Sequence, residues 1–472
     1  MSRLLVIATA YVLLSACASS PKPVAGQGTA DVMKQETAGV SAESEPESIE
    51  RAFPDDSLYP LLVAEFALRR RAYDVALENY LAQSRILRDA GVSAHTTHLT
   101  QFMQREPEAL EAAQLWVELD PDNVEANNTL ASLLIRQGRT AEALPLLALV
   151  EREGANASFP ALLSGFAELD EQQRTALVSG INELAVEFPD NTQLMLTQAL
   201  LHAEFNQYEQ ALDKLDELFE LEPYQSQAVL LEAKILLTEG AKKPYARLQR
   251  ALQENPGDQR LRLQYARLLT TTDMTAAREQ FEILSAQSPR DGDLLLSLAL
   301  INREIGDDIA ASAYLRQMLA LDQRVDEAHY YLGRIAEEDS NPGEAIAHDE
   351  QVRDGREFLS ANNRIGYLLI STGQLERNHH WFDQQREANP GRREQLYSLE
   401  ADLLIQAGAT DAALQVLNQA LAETPEAAGL LYARSMLSEQ QGDLGQMERD
   451  LRRIIASDPD NATALNALGY TL

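Results

Sequence analysis

The sequence predicts an all-α fold, a solenoid of antiparallel helix pairs, and three observations carry that expectation. Prolines recur with a period near 34: Pro189, Pro223, Pro256 and Pro289, then Pro390, Pro425 and Pro459 after a gap of 101 residues, three periods long. An alanine stands twelve residues before many of these sites, at Ala109 (before Pro121), Ala211, Ala277 and Ala413, with Ala311 and Ala345 in the same row. The composition is helical, rich in Ala, Leu, Glu and Gln with only 6% aromatic residues. Repetition on this scale means stacked helical units, none of which can cover its own apolar face alone.

The chain opens with Arg3 and an apolar run of 11 residues from Leu4 to Leu14, then the small-residue stretch Leu14-Ser15-Ala16-Cys17. Such a run suits a signal-peptide core and is too short to cross a bilayer as a helix. The four residues around Cys17 resemble the bacterial lipoprotein cleavage box. That resemblance implies removal of residues 1–16 and acylation of Cys17 on its thiol and on its new amine. Because Ala18 rather than Asp follows, it also implies sorting to the outer membrane of a Gram-negative cell, with the solenoid in the periplasm. An ordinary secretory signal that happens to contain a cysteine is the alternative. From Cys17 to Ser57 the chain is rich in Ser, Ala, Gly, Pro and Glu without an apolar period. A segment of this kind cannot offset the entropy of ordering, so it reads as a disordered tether, with an r.m.s. span of roughly 35 Å for about forty residues.

Helix pairs are expected from residue 58 to 461, about twelve of them. The best-formed unit is "DEAHYYLGRIAEEDSNPGEAIAHDEQV", Asp326 to Val352. Leu332-Gly333 belongs to its first helix and Ala345-Ile346 to its second, with the turn at Ser340 to Gly343. Small residues at two rows let the paired helices approach, and proline ends the second helix because it lacks an N–H and disfavours helix in the residue before it. Asp or Asn just beyond can cap the next helix. This spacing, with endings such as "LWVELDPDN" at Leu115 to Asn123, resembles the tetratricopeptide repeat. The resemblance implies a right-handed superhelix. Weak points are the stretch Ala157–Phe188, whose first helix reads as short, and Asn378 and Met447, which replace Ala in the small row. Residues 462–472 read as the first helix of a further, incomplete repeat, with Leu465, Leu468 and Leu472 on one stripe and Gly469 in the small row. The chain is therefore expected to continue beyond Leu472.

Composition and motifs bound the chemistry. A formal net charge of −33 leaves no basic stripe to displace counterions from nucleic acid, and Arg69-Arg70-Arg71 reads as a solvated helix face. The single cysteine excludes a disulfide framework and a Cys-based metal cluster. Neither His379-His380 nor His95 with His98 sits in a metal-ligand pattern, so these histidines are expected to be solvated or groove-facing. P-loop, G-x-G-x-x-G, G-x-S-x-G and H-E-x-x-H motifs do not occur. The expectation is a binding protein without an enzymatic activity, cofactor or metal of its own.

In the repeat family named above, outward rows of the first helices contact ligands. Carried onto this sequence, they fall on Glu327, Tyr330, Arg334 and Glu337 of the best unit, and on Asp293, Leu296, Leu300 and Arg303 before it. Asn363, Tyr367 and Ile370 hold them in the unit after it. Tyr, Arg and aliphatic side chains together suit an interface core, although the aliphatic members could equally pack on adjacent helices. Finally, "SLYPLLVAEFALRRRAYDVALENYLAQSR" (Ser57–Arg85) and "MERDLRRIIASDPDNATALNALGYTL" (Met447–Leu472) resemble outer-membrane lipoproteins that serve as adaptors for a periplasmic C-terminal processing protease. This implies a serine-protease partner and peptidoglycan hydrolases as presented substrates. A structural part in an envelope assembly or export machine, for outer-membrane proteins, polysaccharide or pili, is the alternative.

Overall fold

The computed structural model describes Pro54 and residues 56–471. The leader, Cys17, nearly all of the tether and Leu472 lie outside the described residues. Among the described residues there are twenty-four α-helices, three short 3-10 helices and no strand, in consecutive antiparallel pairs. The chain is an all-α helix-pair solenoid in two compact units, one ending at Glu254 and one starting at Asn255.

The proline period marks the ends of second helices. Such helices stop at Glu187, Leu221, Gln287, Ala388, Glu423 and Ser457, each two residues before its proline. At four of these six turns a side chain from the same turn then caps the next helix, satisfying an otherwise unpaired amide. The side chain of Asn191 accepts from the Leu194 N–H at 2.8 Å, and those of Asp291 and Asn461 accept from Leu294 and Ala464 at 3.2 and 3.0 Å. The turn inside each pair repeats as well. Two residues past the first helix the backbone is left-handed, at Gly306 (φ 81°), Gly373 (φ 76°) and Gly408 (φ 74°), with Asn206 and Ser340 where glycine is missing. That conformation lets the last carbonyls of the first helix find N–H partners.

In the first unit, the pairing is least regular where the sequence reads as degenerate. Two 3-10 turns, Phe159–Leu163 and Phe166–Glu168, replace a first helix, and Phe159 and Leu162 are still fully buried against the helix Glu171–Glu187 and its neighbours. Apolar burial, not helical register, holds this segment in place.

In the second unit, the helices Gly292–Glu304, Asp308–Ala320 and Val325–Glu338 enclose Leu295, Leu315, Met318 and Ala328, all without exposed surface. Each of the Leu and Met side chains contributes roughly 1.5–3 kcal/mol by leaving water. After Val325–Glu338 comes the two-turn helix Pro342–Asp349 and then Phe358–Ser371 with Leu375–Ala388. Asn378, in the small row, is fully buried, and neither of its amide atoms has a hydrogen-bond partner.

Candidate functional site

Residues 330, 334 and 337 are spaced to share one face of the helix Val325–Glu338. The same holds for 360, 363, 364 and 367 on Phe358–Ser371. The two faces meet in an open depression of about 230 Å³ lined by Tyr330, Arg334, Glu337, Ser360, Asn363, Arg364 and Tyr367. Five of these were expected from the sequence. Tyr367 is 57% exposed, Arg334 and Asn363 are exposed, and Tyr330 and Glu337 are half-buried. The Tyr330 side chain is the main reason that the Arg334 guanidinium titrates above its ordinary value, with Glu338 and Glu337 adding to it.

The other six expected residues are placed elsewhere. Leu296 is 6% exposed and packs in the core with Leu295, Ala299 and Leu332, so it presents no surface; the expectation of a groove contact is corrected. Ile370 is half-buried and packs against two core clusters, which is likewise a packing role. Arg303 donates to Glu338 at 2.7 Å, Arg324 bridges Asp293 at 2.8 Å, and Glu327 accepts from Arg324 at 3.1 Å. These charges are spent on joining neighbouring helices. Leu300 remains partly exposed, at 37%, but does not line the depression.

Beneath the depression lies a buried ion pair that sequence reasoning missed. Arg364, 8% exposed, donates from Nε to Asp349 Oδ2 at 2.6 Å and from Nη2 to Asp349 Oδ1. Its Nη2 also donates to the Tyr330 carbonyl at 3.0 Å, and its guanidinium lies 4.8 Å from the centre of the Tyr330 ring. Asp349 ends the helix Pro342–Asp349 and is 1% exposed. Gly333 makes room for the pair: a Cβ there would stand 2.7 Å from Asp349 Oδ1 and 3.1 Å from Arg364. The glycine of the small row thus admits a polar floor as well as close helix packing. The only sequence signal for it was a charged residue at a helix position facing that row.

Burial pushes the Asp349 carboxyl up from 3.8 to about 6, against the opposing pull of Arg364. A carboxyl whose pKa is raised by folding adds most stability when protonated and loses it as pH climbs through the folded value. Stability measured by urea unfolding should therefore fall for the parent relative to Asp349→Asn by about 2–3 kcal/mol between pH 4 and pH 6. Parallel pH curves for the two proteins would contradict the assignment.

The histidines singled out from sequence do not converge. His95 packs on Tyr80 with ring centres 4.6 Å apart, while His98 meets Trp116 and contacts Glu125 at 3.1 Å. His379 is not simply solvated: its Nδ1 lies 2.9 Å from Oε1 of the fully buried Glu400, which also accepts from Arg386 at 2.6 Å. His380 contacts Gln384 instead. The imidazoles that do meet are His329 and His348, with Nδ1 atoms 3.0 Å apart across the hairpin. A separation of 19 residues concealed them from any local motif. Among the described residues, no group of three or more His, Cys, Asp or Glu could hold a metal, and no helix is long and apolar enough to cross a membrane.

Comparison with known proteins agrees with this architecture. A family model described as tetratricopeptide repeat matches residues 398–446. The chain is 35% identical over 474 residues to the "TPR repeat-containing protein PA4667" of Pseudomonas aeruginosa, across 100% of this chain and 79% of that protein. Similar crystal structures include the APC/C hetero-tetramer Cut9–Hcn1, at 14% identity over 89% of this chain and 97% of that one, with a TM-score of 0.27. Yeast Tom70 is 13% identical over 88% of this chain and 94% of that one, with a TM-score of 0.29.

Proposed function

The chain belongs to the tetratricopeptide-repeat family, whose fold mediates protein–protein interactions, and we propose that it is a non-catalytic adaptor scaffold of the Gram-negative envelope. It is tethered to the outer membrane through acylated Cys17, faces the periplasm, and recruits a C-terminal processing serine protease together with its peptidoglycan-hydrolase substrates. The observation that carries the scaffold reading is the depression between Val325–Glu338 and Phe358–Ser371, where Tyr330, Arg334 and Tyr367 present aromatic and guanidinium surface above a braced floor. Aromatic side chains and arginine concentrate binding energy at protein interfaces, and a floor held by ion pairing spares the cost of ordering it on binding. The protease as partner rests on the resemblance of Ser57–Arg85 and Met447–Leu472 to adaptor lipoproteins.

Immobilised chain, incubated with detergent-solubilised envelope extract, tests the partner. A serine protease in the eluate supports the adaptor; an outer-membrane barrel or a secretin in its place overturns it. The anchor has its own test. Cys17→Ser should move the protein entirely from the membrane pellet to the soluble fraction, because each lost acyl methylene removes roughly 0.8 kcal/mol of membrane affinity. A variant that still sediments with membranes would contradict acylation at this residue.

A further inference from the structure

His329 on Val325–Glu338 and His348 on Pro342–Asp349 are both half-buried, with ring centres 5.2 Å apart, planes at 44° and Nδ1 atoms 3.0 Å apart. Zinc–imidazole bonds are about 2.0–2.1 Å long, so two of them meeting at roughly 90–110° place the nitrogens about 2.9–3.4 Å apart. The observed separation falls within that range; it is also the length of an imidazole–imidazole hydrogen bond, whose bridging proton the metal ion would displace. We propose that His329 and His348 form a two-histidine site for a divalent transition-metal ion, with both Nδ1 atoms as ligands and water in the remaining positions.

Two features bear on the ion the site would take. Imidazole donors select zinc, copper or nickel over magnesium and calcium, which prefer oxygen. The Asp326 carboxylate on the same helix as His329 is already engaged, its Oδ1 accepting from the backbone N–H of Arg353 at 2.6 Å. Two protein ligands with open positions describe an exchangeable site, unlike the closed four-ligand shell of structural zinc.

The placement gives the site a role in holding the fold together. Pro342–Asp349 is only 8 residues long, and His348 directly precedes the Asp349 that holds Arg364. His329 directly precedes Tyr330. A metal bridging the two histidines clips this short helix to Val325–Glu338.

The test is calorimetric titration of the metal-free, unacylated chain with zinc chloride. Excess magnesium is kept present to occupy the acidic surface. The expected result is one saturable zinc per chain, weakened at least tenfold by His329→Gln and by His348→Gln. A second readout needs no variant: in the parent, zinc should shield both histidines together from diethyl pyrocarbonate, followed peptide by peptide by mass spectrometry. The absence of saturable binding, binding unchanged in both variants, or equal modification of the two histidines with and without zinc would each overturn the site.

Discussion

Replacing Arg364 by alanine is expected to destabilise the second unit by about 3–5 kcal/mol, the cost of stripping a buried carboxylate of its cation. The expectation follows from how fully the guanidinium is used. It carries both oxygens of Asp349, the Tyr330 carbonyl and the face of the Tyr330 ring, at 8% exposure. Without it, the remaining cation that acts on Asp349 among the described residues is the exposed Arg334, which makes no ion pair with it. The size of the effect belongs to breaking the pair, not to the pair's net worth. Replacing both partners, Asp349→Leu with Arg364→Leu, should therefore recover most of the loss, since neither variant side chain leaves a buried charge. Urea unfolding of the parent, the single variant and the double variant checks this. A single variant within about 0.5 kcal/mol of the parent, as for an ordinary surface change, would contradict the account of the floor.

Tyr330→Ala combined with Arg334→Ala is expected to weaken partner binding by about 100-fold or more, from two interface anchors each contributing roughly 2 kcal/mol when truncated. Folding should be affected less than by Arg364→Ala. Arg334 is exposed, and its contact with Glu338 is a solvent-facing pair at 3.6 Å, of a kind worth at most about 1 kcal/mol. Tyr330→Ala removes the ring stacked on Arg364, a contact worth roughly 0.5–2 kcal/mol, but leaves the Tyr330 carbonyl and Asp349 in place for that guanidinium. Binding is therefore compared at matched folded fraction. Equal affinity of variant and parent at unchanged helicity would remove this face from the binding surface.

Much of the architecture was legible because it obeys a strict local period. Proline and the capping Asp or Asn act within a few residues of themselves, so Pro189 and Asn191, or Pro459 and Asn461, announce a helix end and the next helix start unaided. The left-handed residue in each hairpin turn was less visible, since Gly306, Asn206 and Ser340 do the same work with different side chains. Phe159 and Leu162 hold their segment by burial after helical register is lost, and no periodic pattern records that.

The candidate site was half legible for a related reason. Helical spacing says which residues share a face, as it did for Tyr330, Arg334 and Glu337, but not what lies opposite that face. Leu296 occupies the same row in the preceding unit and is covered by the next helix pair. The Asp349–Arg364 pair and the His329–His348 contact join residues 15 and 19 positions apart on different helices. Such pairs depend on how one hairpin closes and how the next stacks on it, information held in the packing rather than in any window of sequence.

The central claim is that the face built by Val325–Glu338 and Phe358–Ser371 captures a protein partner. Its most direct test is a parallel capture from envelope extract with the parent chain and the Tyr330→Ala, Arg334→Ala variant, matched for helical signal and loaded in equal amounts. The account predicts a protein retained by the parent and lost from the variant eluate. The same protein retained equally by both would contradict it.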